Sequence, residues 1–251
     1  MLKKTQIFAH RGANRLAAEN TRTAFDLALN DEISGIETDV QLSRDAVPVL
    51  WHDDDLGKLG LPEKHVDDFD FEELRGMNFA AHFLGNTQVE SVMQLKDFIE
   101  RYRSRTRLLL EIKNRNAEPT DQFQLKVRHT LALARARNGD EIMVSSFHLD
   151  SLIYAHQCAP HFPLIFNMEP EHKLADIRTA LDEQTFLYGF CLHISRLDAD
   201  TVNLLRSHNK IIAVYTCNSD EEILRALNLE VDILISDIPQ RALQLLANQH
   251  D

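Results

Sequence analysis

The sequence predicts an α/β fold of the (β/α)₈ TIM-barrel type, and three observations lead to it. Short apolar segments alternate along the chain with amphipathic helical segments, which is typical of a parallel sheet. About eight strand–helix units fit into the 251 residues, which is the usual size of one such barrel. The sequence shows no linker, low-complexity tract or longer repeat. A doubly wound open sheet is the alternative that the alternation alone leaves open.

The candidate strands are short runs rich in apolar and β-branched residues, bounded by polar or turn-forming residues. In chain order they are Gln6–His10, Gly35–Leu42, Pro48–His52, Arg107–Lys113, Glu141–Phe147, Phe162–Asn167, Phe186–His193, Lys210–Cys217 and Val231–Ser236. In a barrel, functional side chains lie at the carboxyl ends of the strands and in the loops just after them. The ends of these runs are therefore where we look for chemistry.

The candidate helices carry apolar residues at three- and four-residue steps, as Phe123, Val127 and Leu131 do. Polar residues that can cap a helix, such as Thr120 and Ser219, stand at the start of several of them. In chain order the segments are Thr21–Leu29, Ser91–Tyr102, Thr120–Arg137, Leu149–Gln157, Lys173–Glu183, Asp200–His208, Asp220–Leu227 and Gln240–Ala247.

We expect one domain over residues 1–251, with a small insertion over residues 53–90 after the second strand region. That stretch is too long for an ordinary loop between a strand and a helix. Its apolar residues Phe69, Phe71, Leu74 and Met77 recur at short helical steps. A short helical excursion from the barrel is therefore predicted.

The chain is acidic, with 27 Lys and Arg against 39 Asp and Glu, which gives a net charge of −12. Such a surface repels nucleic acids and anionic membranes, so neither is an expected partner. An anionic substrate must therefore meet a local group of positive charges. The apolar fraction of 44% and the charged fraction of 26% are those of an ordinary globular protein.

Three widely spaced cysteines, Cys158, Cys191 and Cys217, favour reduced thiols in a reducing compartment. The first residues lack the apolar core of a signal peptide, and no segment approaches the roughly 20 apolar residues of a membrane span. We therefore expect a cytoplasmic protein with no stable membrane association. The sequence leaves open whether the protein forms a homodimer.

Three acidic residues at predicted strand ends point to a metal site. Glu37 and Asp39 are two positions apart on one strand, so their side chains share a face, and Glu111 adds a third carboxylate. Converging carboxylates repel one another unless a positive charge lies between them. All-oxygen ligation favours magnesium, calcium or manganese over zinc or copper. The alternative is a set of separate ion pairs with Arg11, Lys113 and Arg44.

Two histidines, His10 and His52, also stand at the ends of predicted strands. A near-neutral histidine can accept a proton while a second histidine donates one. The planar guanidinium of Arg11 suits two phosphate oxygens, and Lys113 adds a point charge. These residues supply the local positive charge that an anionic substrate requires, so phosphodiester chemistry is the simplest interpretation.

Short motifs occur at set spacings along almost the whole chain. His10-Arg11-Gly12 is followed by Glu19-Asn20-Thr21, by Gly35-Ile36-Glu37-Thr38-Asp39-Val40 and by His52-Asp53. Leu109–Lys113, Ser145-Ser146-Phe147, Tyr215-Thr216-Cys217-Asn218 and Val231–Pro239 continue the series. In this order and at these spacings, the chain resembles the glycerophosphodiester phosphodiesterase family.

The resemblance implies a (β/α)₈ barrel that hydrolyses small glycerophosphodiesters to an alcohol and glycerol 3-phosphate. It implies one divalent cation, Mg²⁺ or Ca²⁺ with Mn²⁺ as an option, held by Glu37, Asp39 and Glu111. It implies acid–base catalysis by His10 and His52. It also implies phosphate binding by Arg11 and Lys113. In the family mechanism the glycerol 2-hydroxyl attacks phosphorus, and water then opens the cyclic phosphate.

Further residues are expected around this centre. Glu19 and Asn20 begin a helix and would tie down the loop after the first strand, while Asp53 would orient His52. The candidates for the wall of the substrate pocket are Phe147, Tyr215 and His193.

The chain departs from the family pattern at positions outside the predicted ligands and bases. Ala18, Ala46 and Tyr215 stand where the family usually has Pro, Gly and Trp, and the Arg-Thr-Thr run that customarily follows His-Asp is absent. These departures bear on the preferred alcohol headgroup. One rival function is a lysophospholipase D-like activity, with the aromatic residues of the insertion as an apolar entrance. The other is a silent anion-binding barrel, although every predicted site residue is present.

Overall fold

The computed structural model describes residues 4–84, 88–115, 118–135 and 142–249. The apolar runs form strands, and most of the strand residues are buried. The strands are β1 (Gln6–His10), β2 (Gly35–Leu42), β3 (Pro48–Leu50), β4 (Arg107–Ile112), β5 (Ile142–Ser146), β6 (Leu164–Met168), β7 (Gly189–His193), β8 (Ile211–Tyr215) and β9 (Ile233–Ser236).

Eight of these strands close into a parallel barrel. β1 pairs with β9 on one side and with β2 on the other, and both pairings are parallel. From β2 the order continues through β4, β5, β6, β7 and β8 back to β9. The predicted (β/α)₈ barrel is therefore confirmed, since an open sheet would leave its edge strands with one neighbour each.

Helices alternate with the strands, and all of them except the second pack against the outer face of the barrel. They are α1 (Arg22–Ala28), α2 (Phe71–Arg75), α3 (Leu95–Tyr102), α4 (Thr120–Ala134), α5 (Leu149–Cys158), α6 (Leu174–Glu183), α7 (Ala199–Ser207), α8 (Asp220–Asn228) and α9 (Pro239–Asn248). The predicted segments differ from these mainly at their ends, and the predicted ends at Arg137 and Glu141 lie outside the described residues. Within the described ranges, no helix combines the length and the apolar character needed to cross a membrane.

Strand alternation divides the core into two parts. Inside the barrel, residues such as Phe8, Leu109 and Ile165 form a buried apolar cluster. Residues on the opposite face of the same strands, such as Ile36 and Leu110, form a larger cluster under the helices. Apolar side chains thus fill the lower barrel and leave its carboxyl end for polar groups.

β3 is a strand beside the barrel rather than part of it. It runs antiparallel to the end of β2, with Val40 opposite Leu50. The predicted strand through His52 stops at Leu50, because the side-chain amide of Gln41 donates to the backbone carbonyls of Trp51 and Asp53 and bends the chain there. His52 is therefore held over the carboxyl end of β2.

The stretch after β3 builds a small core of its own. Trp51, Leu56 and Phe79 are buried there together with residues of α2, and the rings of Trp51 and Phe79 meet edge to face with centroids 5.2 Å apart. The stretch contains α2 and two short 3₁₀ helices, Gly57–Leu59 and Val66–Asp68. This core anchors the segment that carries His52.

Candidate active site at the carboxyl end of the barrel

Neighbouring strands bring the predicted site residues to one level of the barrel. His10 on β1 pairs with Glu37 on β2, and Asp39 pairs with Glu111 on β4. Because side chains alternate along a strand, these four residues and Phe8 below them point to the barrel interior. The sequence periodicity and the strand register thus converge on one cluster.

The carboxylates of Glu37, Asp39 and Glu111 lie together at the centre of this cluster. Each offers an oxygen, and the three oxygens lie within 4.8 Å of one another. Glu37 is 4% exposed and Asp39 is 1% exposed. Buried like charges at such distances are costly unless a cation compensates them.

Two basic side chains compensate part of this negative charge. Arg11 Nε lies 3.1 Å from Asp39 Oδ2, and Lys113 Nζ lies 2.7 Å from Glu111 Oε1. Arg44 is remote from the cluster and pairs with Asp70 and Glu73 in the inserted stretch. The alternative of three separate ion pairs therefore holds for Asp39 and Glu111, but Glu37 has no such ion pair with Arg11, Lys113 or Arg44.

Glu37 has no full positive charge beside it among the described residues. Its Oε2 lies 3.8 Å from His10 Nε2 and accepts no hydrogen bond, and buried Asp39 Oδ1 likewise accepts none. Burial raises the pKa of Glu37 well above its usual range, and the charges of Asp39 and Glu111 add to this. Burial opposes ionisation of Asp39 too, but Arg11 and Lys113 outweigh it and hold the pKa of Asp39 low. Unpartnered buried oxygens of this kind fit ligands of a hard cation.

His10 is oriented by a residue that the sequence analysis did not assign. Its Nδ1 lies 2.6 Å from Oδ1 of Asp237, which directly follows β9. Asn14 and Asn218 donate further hydrogen bonds to the same carboxylate. Burial opposes ionisation of Asp237, but the hydrogen bond and the charge of His10 lower its pKa. Asp237 is therefore an ionised acceptor that fixes the ring of His10.

His52 has the same kind of partner. Its Nδ1 lies 2.7 Å from Oδ1 of Asp53, the next residue in the chain. Burial opposes ionisation of Asp53, but hydrogen bonds with His52 and Lys58 lower its pKa to about 2. Each histidine thus engages a carboxylate through Nδ1, which leaves Nε2 for exchange of a proton with a ligand.

The loop after β1 holds Arg11 against the carboxylates. Arg11 and Gly12 both adopt left-handed backbone conformations, with φ of 57° and 86°. A Cβ on Gly12 would lie 2.7 Å from the backbone of Ala24, so glycine is required there. Arg11 Nη1 donates to Glu19 Oε2 at 3.0 Å, and Asn20 Nδ2 donates to Asp39 Oδ2 at 2.9 Å. Glu19 and Asn20 thus contact Arg11 and Asp39 directly.

A cavity of about 720 Å³ opens beside His52, Glu111 and Lys113. The predicted pocket residues Phe147, Tyr215 and His193 all line it, together with His52 and Lys113. The Tyr215 ring lies edge to face against the rings of Phe147 and His193, at centroid distances of 5.6 Å and 5.4 Å. Tyr215 also donates a hydrogen bond to the carbonyl of Met168 at 2.9 Å. The cavity therefore has an aromatic wall facing the charged groups.

The structure adds two residues that sequence reasoning missed. Asp237 belongs to a motif of the sequence and follows the last strand, and that position is the signal that could have revealed it. Lys58 lies in the inserted stretch, where its Nζ reaches Glu19 Oε1 at 2.8 Å and Asp53 Oδ2 at 2.9 Å. No periodic pattern in the sequence marks that position.

The site combines buried carboxylates and two oriented histidines with two basic side chains, those of Arg11 and Lys113. Such a site at the end of a barrel is that of an enzyme that acts on an anionic ester. A family model described as the glycerophosphoryl diester phosphodiesterase family matches residues 10–241. The chain therefore belongs to this family of phosphodiester hydrolases.

Individual relatives match over nearly their whole length. A glycerophosphodiester phosphodiesterase of Bacillus altitudinis is 28% identical, with 96% of this chain and 98% of the relative covered. A phosphodiesterase of Oleispira antarctica, solved in complex with the product sn-glycerol-3-phosphate, is 24% identical with a TM-score of 0.85, covering 97% of each chain. A glycerophosphodiester phosphodiesterase of Parabacteroides distasonis superposes over 100% of both chains at 19% identity and a TM-score of 0.82. The two solved structures support the barrel fold.

Proposed function

We propose that the protein hydrolyses glycerophosphodiesters to an alcohol and glycerol 3-phosphate, with a divalent cation and two histidines. The observation that carries this proposal is the cluster of Glu37, Asp39 and Glu111, whose oxygens lie within 4.8 Å of one another beside His10. The product bound to the Oleispira antarctica relative supports the choice of substrate.

Glu37, Asp39 and Glu111 are the residues that would hold the cation. Their oxygen donors suit Mg²⁺, Ca²⁺ or Mn²⁺. A bound cation would give a partner to the buried oxygens of Glu37 and Asp39 that accept no hydrogen bond. When bound, such a cation would stabilise negative charge on the phosphoryl oxygens.

Arg11 and Lys113 would bind the phosphate. A guanidinium carries five N–H donors, and the contacts with Glu19 and Asp39 use only part of that set. Burial opposes the positive charge of Lys113, but Glu111 and Asp39 raise its pKa, so the ammonium is retained. Both groups remain cationic over the working pH range and offset the acidic surface for an anionic ligand.

The two histidines would transfer the protons. The 2-hydroxyl of the glycerol attacks phosphorus and gives its proton to Nε2 of His10, which Asp237 holds through Nδ1. The alcohol leaves with its bonding electron pair and takes a proton from Nε2 of His52, which Asp53 holds through Nδ1. Water then opens the cyclic phosphate as the two proton transfers run in reverse, which yields glycerol 3-phosphate. Intramolecular attack gains a large effective concentration.

The contacts of the inserted stretch favour a water-soluble substrate over a lysophospholipid. An apolar entrance would require exposed aromatic side chains. Phe71 and Phe79 are instead buried in the small core of that stretch, Phe69 and Met77 pack against it, and Phe83 is half-buried. All three cysteines are free thiols, which suits a reducing compartment, so we place the protein in the cytoplasm.

A panel of glycerophosphodiesters tests this proposal. After chelation, we expect the protein to be inactive and Mg²⁺, Ca²⁺ or Mn²⁺ to restore turnover. Glu37→Gln and Asp39→Asn keep the shape of the side chain and should abolish the restored activity. Arg44→Gln, outside the cluster, is the matched control and should keep it. Full activity of either carboxylate variant after chelation would refute the metal site, and micelle-dependent activity would favour the lipid-directed enzyme.

A further inference from the structure

Lys58 connects two carboxylates that each orient a different residue of the candidate site. Its Nζ lies 2.8 Å from Glu19 Oε1, 2.9 Å from Asp53 Oδ2 and 3.1 Å from Asp53 Oδ1. Glu19 belongs to the loop after β1, whereas Asp53 follows β3. A single ammonium therefore bridges two segments that are far apart in the chain.

The two carboxylates that bind Lys58 also contact proposed site residues. Asp53 Oδ1 also lies 2.7 Å from His52 Nδ1, and the second oxygen of Glu19, Oε2, accepts from Arg11 Nη1 at 3.0 Å. Each carboxylate thus holds Lys58 on one side and a predicted site residue on the other.

The two carboxylates of this network, Glu19 and Asp53, lie beside two basic side chains, Lys58 and Arg11. Burial acts against the charge of Glu19, but Arg11 and Lys58 lower its pKa. Burial also acts against Lys58, but the hydrogen bonds to Glu19 and Asp53 raise its pKa. Glu19, His52 and Asp53 also offer atoms within 4.8 Å of one another, a spacing that could suit a metal ion. The ammonium of Lys58 already supplies the positive charge between the two carboxylates.

The backbone around Lys58 is fixed by the inserted stretch itself. Lys58 lies in the short 3₁₀ helix Gly57–Leu59, and the preceding Leu56 is buried in the core around Trp51. Leu56 N donates to the carbonyl of Lys64 at 2.7 Å, and Lys58 Nζ lies 5.8 Å from the centre of the Trp51 ring. The ammonium is therefore presented from a rigid support, although 34% of the side chain is exposed.

From these contacts we infer that Lys58 is a positioning residue for the active site, which aligns His52 through Asp53, while its contact with Glu19 ties it to the loop that carries Arg11. The inference rests on the proposed function, in which His52 protonates the leaving alcohol. It assigns the inserted stretch a direct part in the geometry of the reaction. Misplacing a reacting group by about 1 Å can cost on the order of a hundredfold in rate.

The test compares two substrates that differ in their need for an acid. Glycerophosphocholine releases a poor leaving group, whereas the nitrophenyl ester of glycerol 3-phosphate releases one that needs no proton. Under single-turnover conditions, we expect Lys58→Met to slow release of choline about 10- to 100-fold. Release of nitrophenol should slow at least about tenfold less, because only the first substrate depends on the alignment of His52.

Three further variants make the result decisive. Lys58→Arg keeps the charge and both contacts and should restore most of the choline release, while Lys64→Met removes an exposed lysine of the same stretch and should change neither rate. Suppose that His52→Ala slows choline release much more than nitrophenol release. An equal loss on both substrates in Lys58→Met, or no loss, would then overturn the inference. An equal loss in His52→Ala would instead overturn the proposed acid, and the inference about Lys58 with it.

Discussion

His10 and Asp237 meet across the closure of the barrel, with Nδ1 of the histidine 2.6 Å from Oδ1 of the aspartate. The two residues are 227 positions apart, and the parallel pairing of β1 with β9 brings them together. The ionised carboxylate fixes the ring and directs its other nitrogen toward Glu37, 3.8 Å away. The first and last strands of the barrel therefore complete one functional unit.

Asp237 should matter for the rate and little for substrate affinity. Asp237→Asn removes the charge that holds Nδ1 of His10, so we expect kcat to fall about 10- to 100-fold, the usual scale for a group that orients a neighbour, with a small change in KM. Steady-state kinetics on glycerophosphocholine measure this. Asp220→Asn, which removes only a surface ion pair with Arg241, is the control. A matching loss in that variant would refute the assigned role.

The two histidines should respond differently to the leaving group. Each alanine variant should slow glycerophosphocholine hydrolysis by at least about a hundredfold, the scale of a positioned acid or base. On the nitrophenyl ester, His52→Ala should lose far less than His10→Ala, because that leaving group needs no acid. Single-turnover release of the two alcohols gives both ratios. Equal losses on both substrates would contradict the division of roles, and the histidines would then be phosphate-binding groups.

Cation binding should stabilise the folded protein. The cluster of Glu37, Asp39 and Glu111 exists only in the folded state, so a bound cation raises the free energy of unfolding by mass action, about 2.7 kcal/mol at a hundred times Kd. A thermal melt across a titration of the chelated protein should show a rising Tm. In Glu37→Gln the rise should be much smaller. A flat Tm over cation concentrations that restore activity would speak against convergence of the three carboxylates.

The ion pairs of Asp53 should appear in acid unfolding. Its pKa is about 2 in the folded protein, below the roughly 3.9 of an unfolded chain. The stabilisation is therefore complete above about pH 4 and is lost as the pH falls through about 2, and its size is about 1–2 kcal/mol after allowance for solvent screening. Urea titrations at pH 5, 3 and 2 should show the advantage of wild type over Asp53→Asn shrinking with pH. Asp54→Asn, which leaves the ion pairs of Asp53 in place, is the matched control.

The inward-facing part of the site could be predicted from the sequence because strands have a period of two. Glu37 and Asp39 lie on one face for that reason alone, and the end of a strand marks His10. The contact of Asp237 with His10 is not visible in the local pattern of either strand; it follows only from the closure of the barrel, which pairs the last strand with the first. Lys58 comes from a stretch whose fold depends on the burial of Trp51 and Leu56, so neither spacing nor periodicity identifies it.

The seam between β1 and β9 also has a consequence for biosynthesis. Chains emerge from the ribosome amino end first, and the first strand with His10 appears long before the last strand with Asp237. Until β9 docks, the ring of His10 lacks its carboxylate and β1 lacks one of its two neighbours. Before β9 pairs, a nascent chain therefore contains the three proposed metal ligands as well as His10 and His52, but His10 lacks its contact with Asp237. The site around His10 is therefore complete only after β9 has paired with β1.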